Sequence, residues 1–409
     1  MAVSFTRDNK NIDIVRYFSI ALVSVVWGLI TLKEGIIFAP DSRGWSNYGD
    51  LLIKHNFNYF NFLSDTNFTT PIVLYSSWVT VVATTKLIFG NYWGTAIVVV
   101  SYISAVYTML LILKATRMFS EKSACVIFAC IALILCFDFH MWIRYVLSDI
   151  LYASICFAIL FLSLNLFRDP SRPQKRFTIS LILIGIAVVF RPVFPPLLAF
   201  IFLSLLFGLI LKLEGYDTNK RQRLIINLTI FACIAIPTAL VLHSYVMLDP
   251  SNWPFPFFKA WILQISNEYH LGIAVYKRPE TYQPPPIGIL DYLFITISKF
   301  FYFFVIDLDG YSKMHAFVSY IFFLPIYAFS AFSLFQLYKK ESGLTPIKWW
   351  IIFSCFIFIF LFAFFHSCNE IDYDLRYRVP CLPPLVLLAT IGFNEFIELI
   401  SSKLKKSPG

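Results

Sequence analysis

From end to end this chain keeps returning to stretches of fourteen to twenty-five residues that are poor in charge, and this repetition constrains the fold more than any motif. Ten such stretches stand out, at 17–38, 92–113, 123–137, 149–167, 177–190, 196–211, 223–243, 314–338, 349–366 and 379–399. A helix that crosses the hydrocarbon core of a bilayer needs roughly 20 apolar residues, so we read the ten as transmembrane helices. Two further apolar stretches, 71–90 and 290–308, each carry a lysine, Lys86 and Lys299, and are ambiguous. Composition agrees: 14% of the residues are charged, against about 25% in soluble domains, and the 45 phenylalanines suit lipid-facing surfaces. The fold expected is an all-α polytopic membrane protein, a single domain spanning 1–409 with about 10 transmembrane helices and no separate soluble domain. The first apolar stretch lacks a small-residue cleavage site and reads as a retained helix, not a removed signal peptide.

Basic residues orient the bundle, because loops rich in Lys and Arg stay on the cytoplasmic side. If the ten segments span and the two ambiguous ones do not, one side receives the N-terminal tail and the segments 114–122, 168–176, 212–223, 339–348 and 400–409. These hold 20 of the 33 Lys and Arg residues. Counting 71–90 alone as another span would send the later basic loops outside. We therefore expect 71–90 and 290–308 to lie in the outer interface, both termini to be cytoplasmic, and three polar regions, 39–91, 138–148 and 244–313, to form an outer face. The net charge of +9 is thus topological, and nucleic acid is not an expected partner. Segments 123–137 and 177–190 are short for spans, which would leave a recessed pocket at their outer ends. Eight scattered cysteines without a Cys-x-x-Cys pair suggest neither a zinc site nor a disulfide framework.

Within the outer face, Asp41 draws attention first. It follows Ala39-Pro40 and precedes Ser42-Arg43-Gly44-Trp45 at the mouth of the first span. A carboxylate there is costly unless solvated or used. It could take a proton from an attacking hydroxyl, or simply form the turn that Pro-Asp-Ser commonly makes. Tyr48 lies two helical turns on, on the same face, so 43–52 is expected to be a short interfacial helix. Asp138, His140, Arg144 and Asp149 make a second cluster. His140 and Trp142 read best as interface packing, and Asp149 as a residue complementing a helix N-terminus. Asp138 and Asp149 remain the best further carboxylates for acceptor binding or for a divalent metal.

Three arginines complete the set. Arg191 sits in the turn Phe190-Arg191-Pro192 between two hydrophobic helices, where it must snorkel or pair with an anion. Arg376 and Arg378 flank Tyr377 just before the last span, after Glu370, Asp372 and Asp374. The planar guanidinium suits bidentate phosphate contacts. A network of Arg–Asp pairs accounts for these arginines about as well, and their convergence near recessed helix ends favours phosphate. The six histidines are dispersed, with no His-Glu-x-x-His and no Walker loop, which argues against a zinc protease or an ATP-driven pump.

Taken in order, these residues resemble the GT-C-type membrane glycosyltransferases, in the branch that includes protein O-mannosyltransferases and the aminoarabinose transferases of lipid A. The similar elements are the Pro-Asp-Ser turn ahead of Tyr48, Thr70-Pro71-Ile72 with Trp78 and Ile88-Phe89-Gly90, Leu147-Ser148-Asp149, Phe190-Arg191-Pro192, and Arg376-Tyr377-Arg378-Val379-Pro380 with Pro383. They cover nearly the whole chain. Asp149 stands where relatives often carry glutamate, and the large C-terminal soluble domain of some relatives is missing, so the acceptor is not implied. The resemblance implies a polyprenyl-phosphate sugar donor and transfer at the outer leaflet, with the bilayer itself as a partner. The expected setting is the plasma (inner) membrane of a bacterium.

On that reading Asp41 is the catalytic base. Arg191, Arg376 and Arg378, with Tyr377, Tyr48, Asp138 and Asp149, bind the substrate. Two other functions compete: a glycan polymerase or ligase acting on lipid-diphosphate oligosaccharides, which would use the arginines without Asp41, and a lipid or glycan transporter. A transporter predicts midplane polar residues and internal repeats, and few of the first and none of the second are seen.

Overall fold

Uncharged runs this long leave the backbone to satisfy itself, and helices are the result. The computed structural model describes residues 8–66, 70–168, 173–214, 282–307, 312–338, 344–369 and 375–406, with short pieces between 238 and 274. Among the described residues the helices are α1 (Asp8–Glu34), α2 (Pro40–Lys54), α3 (Tyr59–Asp65), α4 (Thr70–Leu74), α5 (Ser76–Phe89), α6 (Trp93–Thr116), α7 (Ser123–Leu135), α8 (Phe137–Ile143), α9 (Asp149–Arg168), α10 (Pro173–Val188), α11 (Pro195–Glu214), α12 (Ile289–Tyr302), α13 (Lys313–Tyr338), α14 (Pro346–Asn369) and α15 (Leu382–Lys406). A 3-10 turn, Leu375–Cys381, leads into α15. The β structure among the described residues is a two-residue antiparallel ladder that pairs Ile273 with Gln283 and Ala274 with Tyr282, and an isolated parallel bridge between Ile37 and Tyr145.

Among the described residues five helical runs are long and apolar enough to cross a membrane: Ile14–Glu34, Ser76–Thr116, Lys313–Leu337, Pro346–Cys368 and Arg376–Leu404. A sixth follows if α7 and α8, bent by 56° at their junction, count as one span. The chain is therefore an integral, multi-pass membrane protein. The described residues do not by themselves confirm the expected count of about ten. In α9, α10 and α11 the residues described in full are apolar over Asp149–Asn165, Thr178–Val188 and Pro195–Leu206, and segment 223–243 lies mostly outside the described residues. Stretch 290–308 yields α12, whose 14 residues fall short of a span. Stretch 71–90 gives α4 and then α5, which continues through the 3-10 turn Gly90–Tyr92 into α6 as a 41-residue run. That is about twice what a span needs. Gly90 makes the junction possible, since its φ of 53° lies in the left-handed region.

Packing is closest between α13 and α15. A Cβ at Gly392 would collide with the carbonyl of Phe329, so only glycine lets these backbones approach, as small residues do between membrane helices. Aromatic rings fill the flanks of that contact: Phe128 stacks on Phe393 at 4.5 Å, and Phe329 meets Phe396 at 5.8 Å. Side-chain links then fix which ends of the helices lie together. At one end Lys122 bridges Glu398 at 2.9 Å, Lys348 bridges Glu395 at 2.7 Å, and Ser120 donates to Asn394 at 2.9 Å. At the other end the chain gathers its candidate chemistry.

Candidate active site

The connection between α1 and α2 is stitched to the segment before α9. Ile37 donates its N–H to the Arg144 carbonyl at 3.0 Å, Val146 donates to Ile37 at 3.1 Å, and the Ser42 hydroxyl donates to the Val146 carbonyl at 2.9 Å. Pro40 then opens α2 at the position where proline's fixed φ suits a helix. Asp41 falls in the first turn, where the helix dipole favours a negative charge. Its carboxylate accepts from the Arg376 guanidinium, Nη1 to Oδ2 at 2.7 Å, across 335 residues of sequence.

Two more Arg–Asp pairs stand at the same end. Arg378 donates through Nε to Oδ2 of Asp138 at 3.0 Å and through Nη2 to the same oxygen, while its Nη1 reaches the Val305 carbonyl at 2.5 Å. Its guanidinium also lies 4.3 Å from the centre of the Phe323 ring. Arg191 donates to Asp149, which opens α9. The turn that carries Arg191 is held from two sides: Tyr152 donates its hydroxyl to the Val193 carbonyl at 2.6 Å, and Ser77 donates its N–H to the Val189 carbonyl at 2.8 Å. Each of the three arginines thus meets one of the three aspartates singled out in the sequence. The pairing itself was not visible there. Glu370, Asp372 and Asp374, the nearest acids in sequence to Arg376 and Arg378, lie outside the described residues.

The pairs differ in access. The side chains of Arg378 and Asp138 are 2% and 1% exposed, those of Arg191 and Asp149 6% and 2%, and those of Arg376 and Asp41 22% and 48%. A ligand from the aqueous side therefore meets Asp41–Arg376 first. Burial works against the charge on Arg191, but Asp149 and then Tyr75 outweigh it and hold the guanidinium protonated more firmly than in water. The charge of Arg376 acts in the opposite sense. The Nε of Arg191 is buried and has no hydrogen-bond partner among the described residues.

Other nominated residues take different places. Tyr377 stacks on His366 at 4.9 Å and lies under Arg376, whose guanidinium is 5.3 Å from its ring. Tyr48 is on α2 as expected, packed against Trp45 and the small core of Leu52, Phe62, Ile72, Val79 and Ala83 that joins α2 to α5. His140 has a structural task, in line with the packing role read for it. At the break between α7 and α8 its Nε2 donates to the freed carbonyls of Leu133 and Ile134 at 2.7 and 3.1 Å, and its ring meets Trp27 edge-on at 3.7 Å. His315 was not nominated, yet its Nε2 lies 3.5 Å from Asp138 Oδ1. A histidine in the first turn of a long apolar helix, α13, was the one signal of it. Among the described residues no three His, Cys, Asp or Glu side chains gather as a metal site.

The arrangement offers a reachable carboxylate beside one cation, with two buried Arg–Asp pairs at the same end fixing the frame. It can bind an anion and accept a proton a few ångströms away. Scanning the chain against protein-family models, and comparing it with curated proteins and with solved structures, gave no match.

Proposed function

We propose that this protein is a membrane glycosyltransferase of about ten spans that moves a sugar from a polyprenyl-phosphate donor to an acceptor at the outer leaflet or in the periplasm. The observation that carries the reading is the accessible Asp41–Arg376 pair, 2.7 Å apart. Such a donor needs a cation for its phosphate and a base for the acceptor hydroxyl, side by side at headgroup depth. In the resting protein the two groups neutralise each other. An incoming phosphate takes Arg376 and Arg191, and releases Asp41. Guanidinium holds phosphate in a two-pronged contact, so the exchange replaces one charge-assisted bond with at least one other. Asp41 then removes the proton from the acceptor hydroxyl. That oxygen attacks the anomeric carbon, the bond from carbon to phosphate oxygen breaks, and polyprenyl phosphate leaves with the electron pair. A single displacement inverts the anomeric centre. Arg378, committed to Asp138 and Val305, holds the segment on which Arg376 rides. We place this face outside the cell, because 20 of the 33 basic residues fall in tails and loops assigned to the other side. A bacterial plasma membrane is the setting we propose.

The test is transfer itself. The full chain in liposomes, given radiolabelled sugar on polyprenyl phosphate and an envelope extract as acceptor, should move label to the acceptor. Asp41→Asn should bind the donor and not transfer. Equal transfer by the variant and the parent would remove Asp41 from the chemistry and favour a polymerase or ligase that uses the arginines alone.

A further inference from the structure

We infer that Trp45 and Tyr75 form the surface on which a sugar ring stacks in this site; the inference rests on the glycosyltransferase reading above and adds the group that recognises the sugar. Trp45 stands four residues after Asp41 on α2, one helical turn on, so the indole and the carboxylate share a face. Tyr48 extends the same row, with its ring 6.0 Å from that of Trp45. Tyr75 comes from another element, the joint between α4 and α5, and its ring sits 4.4 Å from the indole at 38°. The joint is tied to the arginine turn: Ser77 donates to Val189, and Trp78 packs on Phe190 at 5.8 Å, just ahead of Arg191. The aromatic pair thus joins the helix that begins with Asp41 to the segment tied to the Arg191 turn.

Both rings are half-buried. A pyranose or furanose ring presents apolar C–H faces and polar edges. Large flat rings with a polar tip suit such a ligand, and binding sites join an apolar wall to a few fixed polar groups. Tryptophan and tyrosine also gather at membrane interfaces without any ligand. Trp45 does not fit that role. It lies on the inward side of α2, near buried Ser42, Gly49 and Leu52, and packs against the core. Tyr59, Phe60 and Tyr92, by contrast, are exposed.

Two probes separate the possibilities: a short-chain prenyl phosphate, and the same compound carrying glucose, mannose, galactose or arabinose. Binding of each is measured on the purified full chain and on Trp45→Leu, Trp45→Phe and Tyr75→Phe. We expect the parent to bind at least one glycosylated probe more tightly than the bare phosphate. Trp45→Leu should cut the affinity for that glycosylated probe about five- to tenfold, the effect of one lost ring contact, and leave the bare probe unchanged. Trp45→Phe and Tyr75→Phe, which keep a ring, should retain most of the difference and serve if the leucine variant does not fold. Equal weakening of both probes, or no weakening, would assign Trp45 to packing and overturn the inference. A parent that binds bare and glycosylated probes alike would also overturn it, with the phosphate reading intact. A parent that binds neither would remove the donor reading and the sugar surface together.

Discussion

At the scale of single residues, access divides three chemically similar pairs into two kinds of part. Arg378 and Asp138 are buried against each other, and a buried pair contributes little over an apolar substitute while its one-sided disruption costs about 3–5 kcal/mol. Arg378→Ala should therefore lower the melting temperature sharply in detergent, because buried Asp138 loses its guanidinium partner and keeps only the longer contact to His315, at 3.5 Å. Donor affinity in the surviving folded fraction should change little. Arg376→Ala should do the reverse. An exposed pair contributes about 0–1 kcal/mol, so melting should barely move while prenyl-phosphate binding falls. Both quantities can be read on the same purified samples, and a fall in binding for Arg378→Ala without a fall in melting would exchange the two roles. Asp41→Asn keeps the turn and the first-turn position on α2, so folding should persist. Turnover should fall by about 10²–10⁴, the usual contribution of a positioned base.

At the scale of elements, close approach matters more than apolar area. Gly392→Ala cannot be built without moving α13 from α15, and we expect a large loss of thermal stability, checked by thermal unfolding against Gly44→Ala, where a Cβ meets nothing within 4 Å. The sequence showed α1, α13, α14 and α15 by their apolar length, and α2 by the spacing of Asp41 and Tyr48. It did not show that 71–90 would join α6, because the Gly90 junction depends on a backbone conformation that composition does not encode. Nor did it show the bend at Cys136. That bend is sustained by His140, whose ring satisfies carbonyls that a continuous helix would have bonded itself. The candidate site was legible as a set of residue types, since buried arginines and aspartates in a membrane chain demand partners. Which partner each takes depends on contacts 42 to 335 positions apart, and no local pattern records those.

At the scale of the whole molecule, the two polar ends of the bundle give the membrane reading its physical content. The links of Lys122 and Lys348 to Glu398 and Glu395 hold one end, and the three Arg–Asp pairs hold the other. Loops 114–122 and 168–176 should face the cytoplasm and 39–91 the outside. In a cysteine-free background, a single cysteine at position 172 should resist a membrane-impermeant label in intact cells, and one at position 47 should react; labelling at 172 from outside would invert the orientation. The most direct examination of the site is a structure of the full chain with bound polyprenyl phosphate. The phosphate should lie against Arg376 and Arg191, with Asp41 released from Arg376 and turned toward the space where an acceptor hydroxyl would stand. A phosphate bound elsewhere, with the Asp41–Arg376 pair intact, would contradict the proposed chemistry.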